Sequence, residues 1–356
     1  MPSPRPGPAQ DSMQIIAIGE AILDRLPHGD RVGGAPINVA GHIRQLSGDL
    51  GIEAGVVTRL GRDAEGQQIL ARLQELGLGT HCIQHDPARP TGIVHVSIDQ
   101  QGQPGYHIES DAAWDFLEYN TELERLARNA SVVCYGTLAQ RSHTSRETIR
   151  RFLDEAPQAM RVLDVNLRQD FCTPATLQAS LTHATFVKLS QDELPATSAL
   201  LAKPVDRNDI DRQAFDLIHQ FGLIGLALTR GPAGTLLYLD GERYEAEPIC
   251  YPVAAHADAV GAGDAACAGL ILGLLLGWPP EETLALANHI GGYVASQSGA
   301  IPQLPAQLRS RVTPAGFDAP TTGRPATEPA AVKPSRLARR LASMRQIPAA
   351  QKKPTT

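Results

Sequence analysis

Apolar and polar positions alternate between strand-like and helix-like periods through most of the chain. Residues 14–19 are an apolar run that reads as a strand, and 20–26 continues it toward polar residues. The spacing predicts a helix at 36–46, a strand at 55–58, and a helix at 64–76 stopped by Gly77. Residues 91–99 alternate like a half-exposed strand, 100–104 reads as a turn, and 105–108 returns, so a hairpin interrupts the rhythm. The rhythm resumes with a strand at 131–135, a helix at 145–155 and strands at 161–165 and 185–188. A helix at 213–221 precedes strands at 226–229 and 235–239. Residues 253–255 read as the end of a further strand, and 265–276 as a helix apolar all round. Strands alternating with helices predict an α/β fold, with a mostly parallel sheet covered on both faces.

Composition narrows the possibilities. A chain of 356 residues with 42% hydrophobic content can build one large core. No apolar run reaches a membrane span without Gly or Pro; 270–278 comes nearest and suits a core helix. Residues 1–12 are Pro-rich and polar, with no apolar signal segment, and are expected to be disordered. Cys82, Cys134, Cys172, Cys250 and Cys267 are scattered without metal-site spacing, which predicts reduced thiols and a cytoplasmic protein. The 11 histidines show no His-x₃-His or His-Glu-x-x-His spacing, so no transition-metal site is assigned. A net charge of −6 gives no reason to expect nucleic-acid binding. That charge is uneven: residues 309–356 hold ten Lys and Arg against two acids, leaving about −14 on the rest. This Pro-rich basic tail, taken as 306–356, is expected to be disordered, with at most a short basic helix at 335–345.

The candidate chemistry concentrates at Asp258-Ala-Val-Gly-Ala-Gly-Asp264. Free N–H groups at a helix start form an anion site, and Gly261 and Gly263 let the backbone approach a phosphate. Ala262 lies between them, and Asp264 beside them could take a proton from an attacking hydroxyl. An anion hole next to a carboxylate base is what phosphoryl transfer to an alcohol requires. A Gly/Ala/Asp string is also a common loop, and Asp an ordinary helix cap. There is no Walker A string and no Gly-x-Gly-x-x-Gly opening a βαβ unit, which argues against P-loop ATPases and dinucleotide oxidoreductases.

This segment resembles the C-terminal signature of the ribokinase-like (PfkB) carbohydrate kinases. Gly33-Gly34-Ala-Pro-Ile-Asn38 is similar to that family's sugar-binding segment, more than 200 residues earlier. The resemblance runs from about Met13 to about Pro305 and implies a three-layer α/β/α kinase domain. It also implies a small β lid, from about 20–34 and 91–108, that closes over the sugar. Ala259 departs from the family's usual Thr, Ser, Pro or Val, which touches a side-chain contact near a monovalent cation.

By the same resemblance Asp24, Gly33, Gly34 and Asn38 would hold the sugar, although Asp24 also suits a surface turn and Asn38 a helix-internal bond. Asp164-Val-Asn166-Leu-Arg168, at a strand's C-terminal end, resembles the Asp-Pro-Asn-Leu-Arg segment of fructokinases and 2-keto-3-deoxygluconate kinases, with Val165 in place of Pro; Asn166 would face the sugar and Arg168 would reach the substrate or the phosphoryl group, unless Arg168 is a structural ion-pair partner. Lys188-Leu-Ser190-Gln-Asp-Glu193 partly matches an element that holds hydrated Mg²⁺ in relatives, with Glu193 acting through water; Ser-x-x-Glu is equally a capping box. Thr229, Gly231 and Gly234 resemble the nucleotide-binding turn, with Asn288, in a late helix, and Ser298-Gly299-Ala300 on the adenine side.

The implied activity is ATP-dependent phosphorylation of a sugar's primary hydroxyl with Mg²⁺. Fructose is the first candidate, partly from Ala113-Trp114-Asp115. The alternatives are a 2-keto-3-deoxygluconate kinase, a nucleoside kinase, or a non-catalytic sugar sensor on the same fold. Exposed lid edges would invite a homodimer.

Overall fold

A computed structural model describes residues 12–26, 29–48, 50–98, 104–202 and 209–312. In chain order its strands are β1 (Met13–Ile18), β2 (Ile22–Leu26), β3 (Gly29–Gly33), β4 (Ile52–Gly61), β5 (Ile83–Asp86), β6 (Gly92–Ile98), β7 (Pro104–Ile108), β8 (Ala130–Gly136), β9 (Met160–Asp164), β10 (Phe186–Ser190), β11 (Gly225–Thr229), β12 (Thr235–Leu239) and β13 (Glu242–Glu245). The helices are α1 (Ala35–Ser47), α2 (Ala64–Glu75), α3 (Thr121–Asn129), α4 (His143–Asp154), α5 (Pro174–His183), α6 (Glu193–Leu200), α7 (Ile210–Phe221), α8 (Ala262–Leu276), α9 (Pro280–Ala295) and α10 (Ala306–Arg309).

Nine strands form the central sheet in the order β13-β12-β11-β10-β9-β8-β1-β4-β5. Neighbours from β11 to β5 are parallel, and β12 and β13 add an antiparallel edge. Alternate residues sort onto two faces, as a pleated strand requires. Ile15, Val56, Val132, Val162 and Phe186 pack with α1, α2, α8, α9 and α10. Ile16, Val57, Val133, Leu163 and Val187 pack with α3 to α7. The result is a three-layer α/β/α fold. The chain builds outward from β1 in both directions, so the carboxyl ends of β1 and β8 flank a topological switch point, where open α/β sheets form their ligand crevice.

A second sheet, β3-β2-β6-β7, stands apart from the first. The expected continuation of β1 through 20–26 does not occur: the chain leaves the central sheet after Ile18 and enters this small sheet at Ile22. The turn expected at 100–104 falls largely outside the described residues, as do 1–11 and everything beyond 312, including the basic stretch at 335–345.

Two expectations are corrected. No strand ends at 253–255; the chain is irregular from Ala246 to the start of α8. Pro248 and Pro252 cannot donate to a sheet ladder, and Val253 is 78% exposed. The segment is instead anchored on the end of α9, where Ala254 N donates to Ser296 O (2.9 Å) and Asp258 N to Gln297 O (3.0 Å). The tail does not begin at 306 either. Residues 306–312 stay on the domain, with α10 against α1 and Leu308 and Val312 buried in the core on that face of the sheet.

Candidate active site

The glycine-rich loop is shaped at Gly261, whose φ is 79°. A Cβ there would sit 2.6 Å from the Ala300 side chain, so loop and Ser298–Ala300 segment approach more closely than any other residue permits. Asp258 holds the loop's curve. Its Oδ1 accepts from Val260 N (3.2 Å), and its Oδ2 from Gly299 N (3.2 Å) and from Arg31 of β3 (2.7 Å). Arg31 also donates to Ser298 Oγ (3.0 Å), tying the small sheet to the loop.

Asp264 lies in the first turn of α8, half-buried at the cavity floor beside Asn38, whose Nδ2 donates to Asp264 Oδ2 at 2.7 Å. Burial raises the Asp264 carboxyl above the usual carboxylate range. The Lys188 ammonium, the Asn38 bond and the Arg168 guanidinium pull it back.

Two cavities open on either side of this loop. One, of about 490 Å³, is lined by Asp24, Gly33, Gly34, Asn38, Asn166, Arg168, Gly261 and Asp264, closed above by Ile22, Val94, Tyr106 and Ile108 of the small sheet. The other, of about 520 Å³, is lined by Thr229, Gly231, Gly234, Ala262 and Asn288, with Tyr251 and Val253. They share Ala259 and Gly263. Residues scattered over 265 positions thus sort into two groups, those expected from the sequence to face the acceptor and those expected to face the donor, that meet at the glycine-rich loop.

The acceptor cavity is rich in carboxylates. Burial pushes Asp24 up to about 6, against the pull of Arg168 and Arg31. Gly33 makes room for it, since a Cβ there would lie 2.6 Å from Asp24 Oδ2. Glu20, at the carboxyl end of β1, is 3% exposed and pushed to about 7, by burial first, with Asp264 adding to the rise. Ala35 N donates to its Oε1 (3.3 Å). Glu20 was not singled out from sequence, although its place directly after the first strand was the available signal. Asn166 and Gln169 sit at φ 41° and 46° in the turn after β9, and Gln169 Nε2 bonds the Tyr106 carbonyl (2.7 Å), a second tie from the small sheet to the large domain. Arg168 makes no salt bridge among the described residues and bonds only the neighbouring Leu167 carbonyl (3.1 Å), which sets aside the structural ion-pair alternative.

On the donor side Asn288 Nδ2 donates to Ala246 O (3.3 Å) and Glu247 O (3.2 Å), pinning the irregular segment to α9 beside the cavity. Ser298–Ala300 does not line that cavity; it buttresses the loop. Ala113–Asp115 reaches neither cavity. Asp115 pairs with Arg141 (2.7 Å), whose guanidinium stacks 4.1 Å over Trp114, a structural cluster behind the small sheet.

Glu193 is used structurally. Its Oε1 accepts from Leu167 N (2.6 Å) and its Oε2 from Ser190 N (2.7 Å), while Ser190 Oγ accepts from Glu193 N (3.2 Å). That is a capping box extended to the β9 turn. Among the described residues no three His, Cys, Asp or Glu side chains cluster as a metal cage. Glu193 lines neither cavity and both its oxygens are taken, so the described residues fit a Mg²⁺ that would arrive on the nucleotide with its own waters. Ala259 supplies no side-chain oxygen and Asp258 is engaged, which leaves main-chain carbonyls for a monovalent cation.

Residues 29–307 match the pfkB family of carbohydrate kinases. The chain belongs to that family. It is an ATP-dependent sugar kinase. It is similar to a fructokinase of Salmonella typhimurium, 28% identical over 315 residues covering 83% of this chain and 97% of that protein. Among solved structures, a fructokinase with bound ATP from Xylella fastidiosa matches with a TM-score of 0.71 at 23% identity, over 84% of this chain and 98% of that one. A 2-dehydro-3-deoxygluconokinase from Thermotoga maritima matches with a TM-score of 0.68 at 17% identity, over the same 84% and 98%. At these identities the structures establish the ribokinase-like fold of this sugar kinase, and two different acceptor chemistries share it almost equally. Among the described residues no helix is long and apolar enough to cross a membrane.

Proposed function

We propose that this kinase phosphorylates a primary hydroxyl of a neutral hexose, with fructose the first candidate. The observation that carries the reading is the junction of the two cavities at Ala259 and Gly263, with Asp264 on the acceptor side. The acceptor hydroxyl gives its proton to Asp264, its oxygen bonds to the γ-phosphorus, and the bond from that phosphorus to the ADP leaving oxygen breaks. The Gly261–Gly263 backbone and Arg168 stabilise the charge on the phosphoryl group. Asp24, Gly33, Gly34, Asn38 and Asn166 orient the sugar, while Thr229, Gly231, Gly234 and Asn288 hold the nucleotide. Mg²⁺ bound to the ATP phosphates would supply further charge neutralisation. The small sheet acts as a lid that keeps water, a competing nucleophile, from the phosphoryl group.

Glu20 and Asp24 favour a neutral sugar over a sugar acid. Both face the cavity beside Asp264, and a substrate carboxylate would be a fourth carboxyl group in that poorly solvated space. The same proposal includes a cytoplasmic location, a monovalent cation near the loop and a homodimer through the lid edges; potassium dependence of turnover and sedimentation test the last two.

The deciding experiment is ADP release from Mg-ATP with a panel of hexoses, 2-keto-3-deoxygluconate and nucleosides. Fructose is expected to give the highest kcat/KM, and Asp264→Asn to lower kcat by about 10²–10⁴ with ATP binding retained. A preference for the sugar acid or a nucleoside would overturn the substrate. Sugar binding with no turnover on any acceptor would favour the sensor reading.

A further inference from the structure

Lys188 is the least ordinary group near the site. It sits on β10 directly opposite Asp164 of β9 in the parallel register. Its Nζ donates to both oxygens of Asp164, each at 3.0 Å, and the two side chains are 6% and 3% exposed. Both alternate onto the sheet face that carries α8, together with Val162 and Phe186. The ammonium lies so close beneath the loop that a Cβ on Gly263 would be 3.2 Å from Nζ. It also forms part of the acceptor cavity wall.

A buried ion pair is an expensive way to join two strands, since desolvating the charges offsets most of their attraction. Apolar residues at 164 and 188 would extend the core without that cost. The pair therefore calls for a reason beyond strand packing. The location supplies one. An ammonium has three N–H donors, and two are fixed by Asp164, which holds the charge still. Fixed charge in a site with little water acts strongly on whatever negative group lies nearby.

We propose that Lys188 is a positioning residue for phosphoryl transfer: an ammonium held by Asp164 under the Gly261–Gly263 loop that serves Asp264 and the incoming phosphoryl group from below. The proposal rests on Asp264 being the base. The groups facing Asp264 are Asn38 from α1, Glu20 after β1, Asp164 from β9, Arg168 from the turn after β9, Lys188 from β10 and Glu193 from α6. Of those that favour its ionised form, Lys188 acts most strongly, ahead of Asn38 and Arg168. Burial works against the ammonium itself, but the carboxylates around it, Asp164 first, hold it above the ordinary lysine value, so it stays charged over the working pH range.

The test compares the neutral pair Lys188→Met/Asp164→Asn with the single Asp164→Asn, which keeps the ammonium. Replacing both partners avoids stranding a buried charge, the change that would endanger folding in either single variant, so Tm is read for Asp164→Asn as well. The readouts are the pH profile of kcat/KM for the sugar, ATP affinity and Tm. In the neutral pair the acid limb should move to higher pH, with kcat/KM about tenfold or more below wild type at pH 6.5 and a smaller deficit at pH 8.5. Asp164→Asn should leave that limb at or below its wild-type position. A folded neutral pair with an unmoved limb and kcat within threefold of wild type would overturn the proposal, as would a limb that rises as far in Asp164→Asn. If the neutral pair does not fold, Lys188→Gln/Asp164→Asn, which keeps polar groups at both positions without the charges, takes its place with the same readouts, and an unmoved limb in that folded variant overturns the proposal. The Asp264→Asn control separates the two levels: turnover there refutes the base, whereas loss there beside an unmoved limb in the neutral pair refutes Lys188 alone.

Discussion

Asn38→Ala isolates the one hydrogen bond that fixes the proposed base. Asn38 Nδ2 donates to Asp264 Oδ2 at 2.7 Å, and Asn38 is 4% exposed, so water does not replace the bond readily. Hydrogen bonds to charged partners contribute about 1.5–3 kcal/mol. The bond favours the ionised carboxylate, so its loss leaves less of the enzyme with a competent base at neutral pH. It also frees the carboxylate to rotate away from the acceptor hydroxyl. Converted at about 1.4 kcal/mol per tenfold, the loss is about 10- to 150-fold in kcat/KM for the sugar at pH 7. The protonation share is recovered as pH rises and the orientation share is not, so the deficit should shrink but persist at pH 9. Steady-state kinetics at several pH values, with ATP affinity and Tm as controls, measure this. A kcat/KM within twofold of wild type at both pH values would refute the assigned pairing of Asn38 with the base.

Asp24→Ala should raise KM for the sugar at least several-fold and leave KM for ATP unchanged; equal effects on the two would mean the acceptor pocket is misplaced. Glu20 gives a pH-dependent stability effect. Its folded value of about 7 stands above the ordinary 4.5, so its contribution is fully present below about pH 4.5 and is lost as pH rises through 7. Glu20→Gln should therefore raise Tm relative to wild type at pH 8, by at most about 3 kcal/mol in stability, and should not do so at pH 4.5; thermal melts at the two values decide. Truncation after Pro305 removes buried Leu308 and Val312 and should cost about 3–5 kcal/mol, whereas truncation after Val312 should leave Tm within a degree or two. Amide exchange at 91–98 and 104–108 should slow when the sugar binds, and exchange indifferent to sugar would argue against lid closure.

The sequence by itself determined the α/β alternation, the family and most of the candidate residues that line the two cavities. Hydrophobic periodicity is local, so the strands at 14–18, 161–164 and 226–229 were legible from their own residues. The loop glycines and Asp264 were legible because a phosphate-binding turn demands those residue types at that spacing. Short or weakly patterned elements were not: β5, β13, α3 and α5 owe their conformation to the sheet edge or helix layer they complete. The opposite error occurred at 253–255, where local apolar character suggested a strand but two prolines and an exposed Val253 keep the chain outside the sheet. Leu308 and Val312 looked like the start of a polar tail because the core they join, beside α1, is set by tertiary packing. Only the folded structure decided which residues share a wall. It brought Asn38 to Asp264 across 226 positions, made Glu193 a strut for Leu167 and Ser190, and set Ala113–Asp115 outside both cavities. It also gave Glu20 and Lys188 their significance, because burial and neighbouring charge, which set what a carboxyl or an ammonium can do, are properties of three-dimensional surroundings.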